Sequence, residues 1–64
     1  GNKSEALVKA KEAYELSKGK NIDIALNFAE TLLANKETKE AQRILEETSA
    51  ATAEQKAKKQ QLSK

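Results

Sequence analysis

Ile22-Asp23-Ile24-Ala25-Leu26-Asn27-Phe28-Ala29-Glu30-Thr31-Leu32-Leu33-Ala34, then Asn35-Lys36-Glu37, then Thr38-Lys39-Glu40-Ala41-Gln42-Arg43-Ile44-Leu45-Glu46-Glu47-Thr48, is the stretch that decides the fold. In its first part, Ile22, Ile24, Ala25, Leu26, Phe28, Ala29, Leu32 and Leu33 cover more than one face of a helix, as expected of a helix packed between two neighbours. Asn35-Lys36-Glu37 interrupts the pattern, and Thr38 is placed to cap a third helix. That helix has a narrow inward stripe of Ala41, Ile44, Leu45 and Thr48, with Lys39, Glu40, Gln42, Arg43, Glu46 and Glu47 left to water. Ala29 and Ala41, 12 residues apart, are small enough to let two antiparallel helices close at a short interaxial distance.

Working outward, Asn21 is the natural cap of the central helix, and Asp23 follows in the first turn, where negative charge is favoured. Upstream, Ala6, Leu7, Ala10, Ala13, Tyr14 and Ser17 recur at i, i+3, i+4 and i+7 and predict an amphipathic first helix. Asn2 or Ser4 can cap it, with Glu5 completing a capping box with Asn2, and Gly19 can supply its left-handed stop. Downstream, Thr52-Ala53-Glu54-Gln55 reads as a further capping box. A fourth helix then runs to about Leu62, or the third helix simply continues, since no residue there breaks helix. The predicted helices are 3–18, 22–34, 38–50 and 53–62 in a single domain over 1–64, giving an all-α chain of antiparallel helical hairpins with three to four helices.

Composition agrees and excludes much. Proline is absent, and Ala, Leu, Glu, Lys and Gln dominate the 64 residues. The apolar inventory is aliphatic and Ala-rich, with one Phe, one Tyr, no Trp and no Met, so the core of so short a chain is thin. Without Cys or His there is no disulfide, no thiol nucleophile, no imidazole base and no ordinary transition-metal site. Glu12/Glu15 and Glu46/Glu47 are exposed pairs suited to i, i+4 contacts with Lys and Arg, with no second group to shift their titration. No enzymatic activity and no cofactor are expected. No apolar run exceeds three residues, so neither a membrane span nor a signal-peptide core is expected. Gly1 reads as a cloning remnant, and localisation stays open, with the cytoplasm favoured.

Aligning Glu5-Ala6-Leu7 with Glu40-Ala41-Gln42 sets the two alanines 35 residues apart. Over Ile22–Ala53 the chain resembles one tetratricopeptide repeat, a helix–turn–helix of about 34 residues. Phe28 stands at its large apolar position, Ala29 at its small one and Leu32 at its aromatic one. Lys39-Glu40-Ala41 resembles the start of its second helix, with Ala41 as the close-packing residue and Leu45 at a large apolar place. Residues 5–18 resemble the second helix of a preceding repeat, with Ala6 and Ala13 in the small positions. Departures are Ala25 for the usual Trp, Lys36 for a turn Gly, Thr38 for a Tyr, Thr48 for an Ala, and no proline at Ala53. The resemblance implies a fragment of a right-handed helical array. More narrowly, Ala13-Tyr14-Glu15-Leu16-Ser17 with Ala29-Glu30-Thr31-Leu32-Leu33-Ala34 is similar to the repeat region attached to thioredoxin-like domains of bacterial co-chaperones.

The resemblance implies a protein–protein interaction module, a scaffold or co-chaperone adaptor. Its groove would be lined by Asp23, Leu26, Asn27, Glu30 and Leu33 on one face of the central helix. Two carboxylates, an amide and two leucines suit a protein or peptide with basic or apolar side chains. The competing expectation is that Leu26 and Leu33 serve only to pack the first helix. Of the family's carboxylate-clamp residues only Asn27 matches, and Asp23 and Glu30 would repel an acidic tail. A self-associating structural unit, forming a homo-oligomer through uncapped apolar faces, is the alternative function. The basic stretch after residue 52, with Lys56, Lys58, Lys59 and Lys64 against Glu54, admits a nucleic-acid or ribosome accessory as a third. It carries no arginine or aromatic residue, and its only large apolar residue is Leu62, so nucleic-acid and membrane partners are disfavoured.

Overall fold

A helix with apolar residues on more than one face has to be enclosed, and the chain is built around that requirement. The computed structural model describes residues 2–63; Gly1, read above as a cloning remnant, and Lys64, counted with the basic stretch, lie outside them. The elements are α1 (Lys3–Ser17), α2 (Ile22–Ala34), α3 (Thr38–Glu47) and α4 (Ala53–Leu62), with no strand among the described residues. The fold is all-α. Helix α2 packs against each of the other three. It supplies Ala25, Leu26, Phe28, Ala29 and Leu32 to the core, α3 supplies Ala41, Ile44 and Leu45, and α1 supplies Ala10. Ala25, Ala29 and Ala41 are fully enclosed, which is where helix backbones come closest. Burying side chains such as Leu26 and Ile44 stabilises the fold by about 1.5–3 kcal/mol each.

The ends of the helices show how the chain turns. At the end of α1 the Lys18 N–H donates to Glu15 O (3.1 Å) and the Gly19 N–H to Tyr14 O (3.2 Å), the paired bonds of a Schellman stop. The left-handed residues there are Lys18 (φ 56°) and Gly19 (φ 72°), so the reversal begins one residue before the glycine expected to carry it. The same stop closes α2: Lys36 N–H to Leu33 O (3.0 Å) and Glu37 N–H to Leu32 O (2.8 Å), with Lys36 left-handed at φ 63°. Asn21 caps α2 through its Oδ1, which accepts from the Ile24 N–H at 3.1 Å.

Several local expectations give way to geometry. Asn2 caps α1 with its backbone only, because at φ −92°, ψ 0° it lacks the extended conformation that lets a cap side chain reach the first turn. Thr38 is the first residue inside α3, not its cap; the tight stop of α2 brings Glu37 into the cap position, where its carbonyl accepts from the Ala41 N–H (3.0 Å). Ala6, placed on the inward stripe of α1, faces solvent. Helix α3 ends at Glu47, not near residue 50. Thr48 turns extended, its Oγ1 donates to Ile44 O (2.7 Å), and its own carbonyl accepts from Lys59 Nζ (2.6 Å) on α4.

Helix α4 is therefore separate from α3. Its capping box is complete: Thr52 Oγ1 accepts from the Gln55 N–H, and Gln55 Oε1 accepts from the Thr52 N–H, both at 3.1 Å. Antiparallel pairing of α1 and α2 is tied at one end by Asn35 Nδ2, which donates to Lys3 O (3.1 Å). At the other end the Tyr14 and Phe28 rings meet at 5.0 Å between centroids, a tilted pair.

Candidate functional site

The groove residues expected on α2 do not share one environment. Asp23, Asn27 and Glu30 are exposed, Leu33 is half-buried, and Leu26 is only 1% exposed. Leu26 thus contributes packing, and Leu33 lies against the core. Asn27 keeps its amide at the surface, while its main-chain oxygen accepts from Thr31 Oγ1 at 2.7 Å.

The structure brings Asp23, Leu26 and Glu30 together with α4. Gln55 Nε2 donates to Asp23 Oδ1 (3.1 Å), and Lys58 Nζ lies 3.9 Å from Glu30 Oε1. Both contacts advance in the same direction along the two helices, so α4 runs in the same general sense as α2. Between them is an open cleft of about 290 Å³ lined by Asp23, Leu26, Thr52, Glu54, Gln55 and Lys58. A second cleft of about 410 Å³ lies between α3 and α4, lined by Gln42, Leu45, Glu46, Lys59 and Ser63.

Two of the lysines that gave the C-terminal stretch its basic character are thus used inside the fold. Lys58 answers Glu30, and Lys59 reaches the Thr48 carbonyl at the C-terminal end of α3, where a cation is favoured. Lys56 is exposed. On the outer face of α3, Arg43 bridges Glu40 and Glu47 (3.8 Å to the latter). The Glu40 hydrogen bond, followed by its charge, pushes the Arg43 pKa upward, reinforcing a cation already present at any working pH.

Sequence reasoning missed two features. Gln55, Lys58 and Leu62 form the inner edge of α4; their i, i+3, i+7 spacing was the available signal, but Gln55 finds its partner, Asp23, 32 residues away. On the outer side of α1, Val8 is 56% and Leu16 85% exposed. They fall off the stripe that packs on α2, and a shallow depression of about 340 Å³ lies around Ser4, Glu5, Val8, Lys9 and Glu12. Among the described residues no group of three or more acidic side chains is arranged to hold a metal ion. No helix among the described residues is long and apolar enough to cross a membrane.

Comparison with known proteins gives two matches. The model of a family described as tetratricopeptide repeat matches residues 1–62. A Haemophilus influenzae protein, named only as uncharacterized, is 52% identical over 44 residues, covering 69% of this chain and 20% of the relative. The chain thus spans about a fifth of the length of that relative. No solved structure matches.

Proposed function

The chain belongs to the tetratricopeptide repeat family, and from that premise we propose that it is a protein–protein interaction module that takes basic or apolar peptide segments on the α2 face. Repeats of this family are non-catalytic and mediate protein–protein interaction in general. The observation that carries the finer reading is the chemistry of that face. Asp23 and Glu30 flank the apolar floor at Leu26, and the side chains already seated there are an amide and a lysine from α4. Asn27 stands exposed beside them and adds a hydrogen-bonding rim. An acidic peptide would bring its carboxylates toward two like charges. The role of a co-chaperone adaptor, as distinct from a general scaffold, rests on the resemblance of Ala13–Ser17 and Ala29–Ala34.

The test is a nuclear magnetic resonance titration of the full chain with a Lys/Leu amphipathic peptide and with an acidic peptide of equal length. The basic peptide should shift the amides of Asp23, Asn27 and Glu30, and the Asn27→Ala, Glu30→Lys double variant should weaken it by roughly tenfold or more. Equal binding of both peptides, or no effect of the double variant, rules out this surface.

A second reading, self-association, is favoured by Val8 and Leu16 on the outer side of α1. Light scattering that stays monomeric over a wide concentration range, unchanged by Leu16→Glu, would remove it.

A further inference from the structure

Helix α4 covers the α2 face with no fully buried residue: Ala53–Leu62 touches the core only through half-buried Leu62. It is held by the Gln55–Asp23 hydrogen bond, the Lys58–Glu30 pair at 3.9 Å, the Lys59–Thr48 hydrogen bond, and Leu62 at the core's edge. Gln55, Asp23 and Glu30 are each reached by solvent, and an exposed ion pair shifts an equilibrium by no more than about fivefold.

The connection from α3 is equally light. Thr48-Ser49-Ala50-Ala51-Thr52 contains neither Gly nor Pro, and its alanines favour helix. What interrupts the helix is side-chain chemistry: the Thr52–Gln55 capping box, a further bond from the Ala51 N–H to Gln55 Oε1 (3.1 Å), and Lys59 Nζ on the Thr48 carbonyl. Every one of these is replaced by an ordinary backbone bond if residues 48–52 wind into helix. Helices α3 and α4 would then form one rod over 38–62, about 37 Å long, and α4 would leave α2.

We propose that α4 is a displaceable latch: it occupies the acidic–apolar face of α2 in the closed chain and leaves by merging with α3, and the ligand that takes its place is a basic amphipathic helix. The occupant follows from charge complementarity and from the helix already seated there, which presents an amide, a lysine and a leucine at i, i+3 and i+7 opposite Asp23, Glu30 and the core's edge. The inference rests on the surface named under Proposed function and adds what guards it. A closed latch lowers the apparent affinity of that surface by the fraction of chains that are open.

Two substitutions push the latch in opposite directions. Ala53 is the first residue of α4, and Thr52 before it is extended (φ −92°, ψ 162°), a conformation that a following proline accepts. Ala53→Pro therefore leaves the closed form intact but disfavours the merged helix by more than about 100-fold, because proline inside a helix loses a backbone bond and clashes. Thr52→Ala removes the cap and favours opening by about fivefold.

The experiment uses the full chain, with a synthetic peptide of residues 51–63 as the basic helical probe. The 13Cα shifts of residues 48–52 report the merged helix, and the amides of Asp23 and Glu30 report occupancy. Thr52→Ala should move residues 48–52 toward helix and tighten the peptide about fivefold. Ala53→Pro should keep residues 48–52 non-helical and weaken the peptide tenfold or more. Equal binding to all three proteins, or shifts at 48–52 that respond neither to Thr52→Ala nor to peptide, overturns the latch while leaving the α2 surface standing. If the probe leaves the α2 amides unmoved in all three proteins, the surface itself is wrong, and the latch falls with it.

Discussion

Lys36→Gly should stabilise this protein, although it introduces the residue least suited to ordered structure. Lys36 sits at φ 63° between α2 and α3, in backbone that L residues avoid because Cβ crowds the following carbonyl. Glycine removes a penalty of roughly 1–2 kcal/mol at such a position. It gives back about 0.5–1 kcal/mol through the greater freedom of the unfolded chain. The Lys36 side chain is exposed and takes part in none of the ion pairs among the described residues, so nothing else is lost. Both bonds of the turn, Lys36 N–H to Leu33 O and Glu37 N–H to Leu32 O, are backbone bonds and survive the change. The net gain is about 0.5–1 kcal/mol, or roughly 4–7 °C in melting temperature for a chain of this size. Urea and thermal unfolding followed by far-UV circular dichroism measure it, with Lys11→Gly, an exposed site inside α1, as the control that should lose about 1 kcal/mol. If Lys36→Gly destabilises as much as Lys11→Gly, Lys36 is not left-handed and the turn between α2 and α3 is built differently.

Gly19→Ala should act in the opposite sense and cost about 1–2 kcal/mol in urea unfolding, because left-handed backbone penalises a side chain. Gly19 lies at φ 72°, and a Cβ there would meet Tyr14 Oη at 3.2 Å; a neutral result would mean that the α1–α2 turn is loose. Ala41→Leu should destabilise by about 1–3 kcal/mol through overpacking, since Ala41 is fully enclosed where α3 meets α2. An unchanged unfolding midpoint would show that the two helices are not in close approach there.

What the sequence could and could not convey follows from the range of each interaction. Helix α2 was legible because its apolar residues wrap more than one face, a pattern that needs no partner to be recognised. The close approach of α2 and α3 was legible in Ala29 and Ala41, since an enclosed alanine marks a place where no larger side chain fits. Lys36 stands where the resemblance has a turn Gly, but the left-handed Lys18 carried no signal, because lysine has no preference for that conformation and the turn imposes it. The end of α3 is held by Lys59, which reaches the Thr48 carbonyl from 11 residues away. Local propensity does not register that contact, so it carries the helix too far. The face of α2 could be drawn from i, i+3, i+4 spacing. That Asp23 and Glu30 would meet α4 could not, because the Gln55–Asp23 bond spans 32 residues.

The distribution of burial links this hierarchy to function. Nearly all enclosed apolar residues belong to α2 and α3, with Ala10 alone from α1 and none from α4. A helix without buried residues opens at a small fraction of the free energy that unfolds the central pair. Had α4 carried two large apolar residues into the core, its face of α2 would be sealed as firmly as Leu26 is. With polar contacts instead, the α2–α3 hairpin can stay rigid while its cover exchanges. A binding surface on a rigid element with a weak cover loses little order when a ligand enters, because only α4 and the segment 48–52 need rearrange. The thin core of this chain therefore places its weakest packing over the α2 face on which we propose that a partner docks.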